Sequence, residues 1–223
     1  MGLSSNRSVI PALQAGDPGP SPGSPTILLS RYIIMGRIFI TSDLHFNHNK
    51  SFIYEPRGFQ SVTGMNNTII HNWNSVVEPD DEVYVLGDVM LGDNAEGLRL
   101  LKQLKGHIHI ILGNHDTDTR RALYENCCNV VEVTYATVIH YNHYHFYLTH
   151  YPCITSNFDY NKPLTARILN LCGHAHTTDK FANWKDGMIY HCELDAHNNS
   201  PVLLDTIIKE MECEYQKTRH LKI

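Results

Sequence analysis

The stretch Ile111–Asp116, ILGNHD, follows the apolar run of HIHIILG and places an amide, an imidazole and a carboxylate in direct succession. Asn and Asp serve as helix caps and turn formers, so a loop that starts a helix is one reading. A functional site is the other, and the rest of the chain decides between them.

Working outward, ILGNHD is one of five similar junctions. RIFIT runs into SDLH, VYVL into GDV, HIIL into GNHD, FYLT into HYP and LNLC into GHAH. Each apolar, β-branched or aromatic run reads as a strand. Its end delivers Asp, Asn or His, often beside a glycine that allows a tight turn. In open α/β sheets the carboxyl ends of strands are where sites are built, so five such loops can meet at one rim.

The remaining pattern is α/β with a mixed sheet. MIYHCEL is a further strand-like stretch, and a turn at Asn142 joins ATVIHY to YHFYLTH as a hairpin. Helical spacing places Met65, Ile69, Trp73 and Val76 or Val77 on one face of MNNTIIHNWNSVV, and Leu98, Leu101 and Leu104 on one face of NAEGLRLLKQL. A last helix is expected over SPVLLDTIIKEMECEY, with Ser200 as its cap and Pro201 at its first position.

Residues 16–25, GDPGPSPGSP, can hold neither helix nor strand. We therefore expect residues 1–34 to be a flexible Pro/Gly/Ser-rich extension and residues 35–223 to form the domain, opening with MGRIFITSDLHF. No apolar run reaches the roughly 18 residues needed to cross a bilayer. The formal charge of −5 argues against a broad phosphate-binding surface for nucleic acid. Six cysteines without a C-x-x-C pair fit reduced thiols. A cytoplasmic protein without membrane partners is the expectation, and the oligomeric state is not encoded in any pattern.

The residue types at the five junctions suit metal ions. Carboxylates, an amide oxygen and imidazoles form a hard-to-borderline donor set for Mn, Fe or Zn, with Mg possible, and no cysteine falls within the pattern. Asp43 and His45, like His174 and His176, are spaced to point the same way from an extended chain. The seven candidates, Asp43, His45, Asp88, Asn114, His150, His174 and His176, exceed what one ion needs. Two ions sharing a carboxylate account for the surplus.

The ordered set D-x-H, G-D, G-N-H-D, H and G-H-x-H, spanning Asp43 to His176, resembles the calcineurin-like metallophosphoesterase superfamily. SDLHFNHNKSFI, MNNTIIHNWNSVV and THYP further resemble a subgroup of small bacterial and phage phosphoesterases. The resemblance implies a sandwich of two mixed β-sheets flanked by helices. It also implies hydrolysis of a small phosphate ester, a diester or a monoester, by a hydroxide bridging two divalent ions. One ion would take Asp43, His45, Asp88 and His176, and the other Asp88, Asn114, His150 and His174. His115 matches the general acid or phosphate-contacting histidine, supported by Asp116.

His48 and Arg57 are candidates for binding the phosphate, with a solvated loop as the alternative for each. The second motif continues as GDVMLGD, so Leu91 and Gly92 stand where protein Ser/Thr phosphatases carry aspartate and arginine, and that activity is not expected. Two other readings are a non-catalytic interaction module on the same fold, against which His115 speaks, and a nuclease acting on short nucleic acid.

Overall fold

The computed structural model describes residues 36–155, 162–182 and 189–220, so the expected extension over residues 1–34 lies outside the described residues. Two sheets carry the fold. The first has the order β4-β3-β2-β1-β9, from β1 (Ile38–Thr41), β2 (Glu82–Val85), β3 (His107–Ile111), β4 (Val130–Thr134) and β9 (Val202–Leu203). Its strands β1 to β4 are parallel, and β9 pairs antiparallel with β1. The second sheet is β5-β6-β7-β8, from β5 (Ala136–Tyr141), β6 (Tyr144–Thr149), β7 (Ile168–Cys172) and β8 (Ile189–His191). The hairpin joining β5 to β6 turns at Asn142 and His143, both with positive φ, and is antiparallel, whereas β6 with β7 and β7 with β8 pair in parallel.

Alternation along the strands produces two cores. Phe39, Val83, Val85, Ile108 and Ile110 face one way and pack with Met65, Ile69 and Trp73 of α2 (Val62–Val76) and Leu100 and Leu101 of α3 (Asn94–Leu101). Ile40, Leu86 and Ile111 face the other way, toward Phe146, Leu148, Leu169 and Leu171 of the second sheet. Leu204, Ile207, Met211 and Tyr215 of α5 (Leu204–His220) close this inter-sheet core. The fold is therefore α/β, two mixed sheets flanked by helices. Among the described residues no helix is long and apolar enough to cross a membrane, and all six cysteines are free.

The α2 stripe forms as its spacing predicts, capped by Ser61, whose side chain accepts from the Gly64 amide. Trp73 is fully buried and its indole donates to the Lys105 carbonyl. In α3 Leu98, Leu101 and Leu104 reach the core as their spacing predicts, Leu98 half-buried, joined by Leu100 and by Gly97, where a Cβ would collide with the Met90 side chain. One expectation needs correction. The last helix begins at Leu204, not at Pro201. Val202 and Leu203 first pair with Ile40 and Phe39, which covers the edge of β1, and Pro201 stands before the pairing where its missing N–H costs nothing. β4 and α4 (Asp118–Glu125) were not expected. In α4 only Tyr124 is buried, so no apolar stripe announces it.

Candidate metal centre

Beyond β1 and β2 the two loops run side by side. The amides of Asp43, His45 and Phe46 donate to the carbonyls of Gly87, Asp88 and Val89. This pairing is made by residues in left-handed backbone: φ is +57° at Asp43, +49° at His45 and +54° at Asp88, and the GHAH loop repeats it with +76° at His174 and +47° at His176. Asp, Asn and His tolerate this region better than branched residues, but such positions still cost of order 1–3 kcal/mol and gather at functional sites. Gly87, at φ +91°, and Gly173 answer a different need. A Cβ on Gly87 would strike the His150 ring, and one on Gly173 would strike Ser42 and the Asp43 carboxylate. Loops from both sheets can approach this closely only where the side chain is absent.

The result brings all seven candidate ligands together. Around Asp43 Oδ1 stand His45 Nε2 at 3.6 Å and His176 Nε2 at 3.5 Å, and the two imidazole nitrogens lie 3.0 Å apart. On the other side Asn114 Oδ1 lies 2.8 Å from His150 Nε2 and 2.9 Å from His174 Nδ1. Asp88 Oδ2 stands between, 3.7 Å from His45 Nε2 and 3.6 Å from His150 Nε2. Three-residue sets suited to one ion are Asp43 with His45 and His176, and Asp43 with Asp88 and His150.

Outer contacts aim these atoms. Asp43 uses Oδ2 to accept from the Ser42 hydroxyl at 2.5 Å and the His174 amide at 2.9 Å, while its Oδ1, fully buried, has no hydrogen-bond partner. An orphaned buried carboxylate oxygen facing two imidazoles fits a cation. Burial alone would raise the Asp43 pKa, but His45 and then His176 and His150 lower it to about 2. Asp88 Oδ1 accepts from the His115 amide at 2.9 Å, leaving Oδ2 for the site. His150 Nδ1 lies 2.7 Å from the Leu86 carbonyl, which can only accept, so this nitrogen carries the proton and Nε2 presents its lone pair.

Asp116 is buried behind the centre. Its carboxylate accepts from the amides of Asp88, Val89 and Gly113 and from the Tyr124 hydroxyl, so it ties the second and third loops together without reaching the cavity. His115 is different: its ring is 41% exposed at the rim, with Nε2 3.9 Å from Asp88 Oδ2. A cavity of about 450 Å³ opens there, bordered by His45, His48, Phe52, Asn114, His115 and His176 among others. His48 lines it and also backs His45, with Nδ1 of each ring 3.1 Å apart.

Arg57 is not at the cavity. Its guanidinium is buried, donating to both oxygens of Asp195 at 3.1 and 2.7 Å and to the Asp43 carbonyl at 2.8 Å. The clamp geometry expected of Arg57 is thus spent on a protein carboxylate. Asp195, which the sequence did not single out, also lies 3.3 Å from His176 Nδ1. A carboxylate behind an imidazole fixes its tautomer and orientation. Burial would raise the Asp195 pKa, yet its bonds to His176 and Arg57 hold it well below the usual carboxylate range. Glu193 does related work, accepting from the Ala175 amide and pairing with buried His191. Of the other strand histidines, His107 and His109 pair with Glu82, and His140 pairs with His145.

Asp195→Asn should separate these roles. Leaving the buried Arg57 without its charge partner should cost about 3–5 kcal/mol in a urea titration. Loosening His176 should weaken metal affinity about 10- to 100-fold by competitive chelation. Unchanged metal affinity at reduced stability would leave Asp195 as a partner of Arg57 alone.

A family model for calcineurin-like phosphoesterases matches residues 36–213. The Methanocaldococcus jannaschii protein MJ1445 is 37% identical over 184 residues, covering 80% of this chain and 93% of that one. The Gene 66 protein of Mycobacterium phage L5 is 35% identical over 86 residues, covering 37% of this chain and 41% of its own. The crystal structure of AQ665 from Aquifex aeolicus superposes with a TM-score of 0.60 at 25% identity, over 78% of this chain and 98% of that one. With its ordered motifs, its two mixed sheets and a family match over most of its length, this chain belongs to the calcineurin-like phosphoesterase family.

Proposed function

We propose that the protein is a phosphoesterase working with two divalent ions, Mn, Fe or Zn by the character of the donors, with Mg as a further option. The observation that carries this reading is Asp88 Oδ2, set between one donor group of Asp43, His45 and His176 and another of Asn114, His150 and His174. When bound, the pair of ions would supply a water nucleophile at neutral pH and offset charge on the phosphoryl oxygens.

The chain's own residues do the rest. Asp88 would hold the two ions at a fixed separation, and the Leu86 carbonyl and Asp195 keep His150 and His176 pointed inward. His115, half-exposed at the rim, is placed to meet the departing group. As the oxygen of water bonds to phosphorus and the bond to the leaving oxygen breaks with its electron pair, His115 would deliver a proton to that oxygen. The substrate is a small phosphate ester. The six free cysteines support a reducing compartment, and we place the enzyme in the cytoplasm.

The test is a panel of p-nitrophenyl phosphate, its alkyl and aryl diesters and cyclic nucleotides, assayed after stripping the protein and reloading it with Mn, Fe, Zn or Mg. Metal-dependent hydrolysis of at least one ester is the expected result. Hydrolysis of none, with any metal, would overturn the reading in favour of an interaction module.

A further inference from the structure

The strand histidines outside the metal centre fall into two kinds. His107 and His109 lean on Glu82, His191 pairs with Glu193, and the His197 ring bonds the His191 carbonyl. Each of these meets an oxygen that accepts its proton. His140 and His145 meet only each other. They stand directly opposite on β5 and β6, next to the pair that closes the turn, where facing side chains lie close together. Their Nδ1 atoms are 2.6 Å apart, with the rings edge-on at 86°. Among the described residues neither ring has a further polar partner. The pair lies on the outer face of the second sheet. Ile139, Tyr141 and Phe146 turn toward the inter-sheet core, so alternation sends His140 and His145 the other way, His140 exposed and His145 half-buried. His150, beyond the far end of β6, is five positions on, roughly 16 Å along the strand. The pair therefore shares no ion with the centre described above.

We propose that His140 and His145 form a further metal site, a two-imidazole chelate for zinc or a similar transition ion, separate from the phosphoesterase centre. Two ring nitrogens this close repel if both present bare lone pairs, so a proton or a cation belongs between them. Two nitrogens on one tetrahedral zinc ion stand about 3.3 Å apart, so seating the ion asks the rings to part by only about 0.7 Å. Torsions of side chains on an exposed strand supply that. The remaining coordination positions face solvent, where water fills them. Imidazole suits zinc, copper and nickel, whereas magnesium and manganese favour carboxylate and water, so the pair selects differently from a centre that offers Asp43 and Asp88. Once one ring has bound, the second acts from the same hairpin, which raises affinity about 10²- to 10⁴-fold over a single imidazole. Bound there, the ion would tie β5, the edge strand of the second sheet, to β6.

The experiment dialyses the full chain to equilibrium against micromolar zinc chloride and counts ions by elemental analysis. Wild type should hold one zinc more per chain than His140→Gln and one more than His145→Gln, each of which loses the chelate gain of about 10²- to 10⁴-fold in affinity. The readout is a difference between chains, so it stands whatever number of ions the centre at the mouth of the sandwich takes. With magnesium or manganese chloride all three chains should bind equally. His140→Cys should restore the extra zinc, because a thiolate is a zinc ligand in its own right. Zinc should slow hydrogen exchange of the amides from Val138 to Phe146 in wild type and leave them unchanged in the glutamine variants. Equal zinc counts in wild type and both glutamine variants would overturn the site and leave a hydrogen bond between two neutral rings. Loss of the extra zinc in only one of the two variants would overturn the chelate, as would an equal excess of manganese or magnesium in wild type. Full zinc occupancy without slower exchange would overturn the tie between the strands.

Discussion

Asp88→Asn should remove both metal and activity. The side chain is 2% exposed and its shape is preserved by the amide, so the backbone bond from His115 to Oδ1 can persist. What is lost is the charge that would lie between two cations, whose mutual repulsion then has less compensation. Elemental analysis should show no more than one ion per chain. Activity should fall on the order of 10³-fold or more, since a bridging position contributes several kcal/mol of transition-state charge stabilisation. A variant that retains two ions per chain would contradict the role given to Asp88.

The second large effect divides Asn114 from His115, neighbours in ILGNHD. Asn114 presents Oδ1 to His150 and His174, so Asn114→Ala should reduce metal content with little change in secondary structure. His115 turns toward the rim, and His115→Asn should leave both ions in place. On phosphate esters with a poor alkoxide leaving group the loss should be about 10²- to 10⁴-fold, the range of a general acid. It should shrink for nitrophenolate, which departs without a proton. A uniform loss across leaving groups would make His115 a phosphate-orienting residue instead. Metal loss equal to that of Asn114→Ala would place it among the ligands.

How far these residues could be read from the chain depends on how local their signals are. The five junctions were legible because each couples a β-branched run to Asp, Asn or His within two or three positions, often beside a glycine. The parallel pairing of β1 with β2 and of β2 with β3 then brings the first three junctions side by side. Arg57 and Asp195 were not legible in their actual roles, because the contact joins residues 138 positions apart, even though Asp195 directly follows the strand-like run MIYHCEL. The sequence around Arg57 shows a free guanidinium beside a turn, and only the tertiary structure reveals its partner. β9 was hidden for another reason. Ser200 and Pro201 imitate a helix start, and two residues of strand become favourable only because β1 offers an open edge. In α4 the polar composition leaves Tyr124 as the one fully buried residue, whose hydroxyl donates to Asp116 behind the site.

The arrangement of donors across the two sheets has a consequence for the whole domain. Asp43, His45, Asp88 and Asn114 follow strands of the first sheet, while His150, His174 and His176 follow strands of the second. Each proposed ion would take ligands from both, so the pair would act as a clasp across the open end of the sandwich. Binding energy for a ligand that sees only the folded chain adds to stability by mass action, about 2.7 kcal/mol at a hundredfold excess over Kd. Heat resistance should therefore rise with metal concentration. Chelation should loosen the mouth of the sandwich first, with amides of the loops after β1, β2, β6 and β7 exchanging with solvent well before those buried beneath α2.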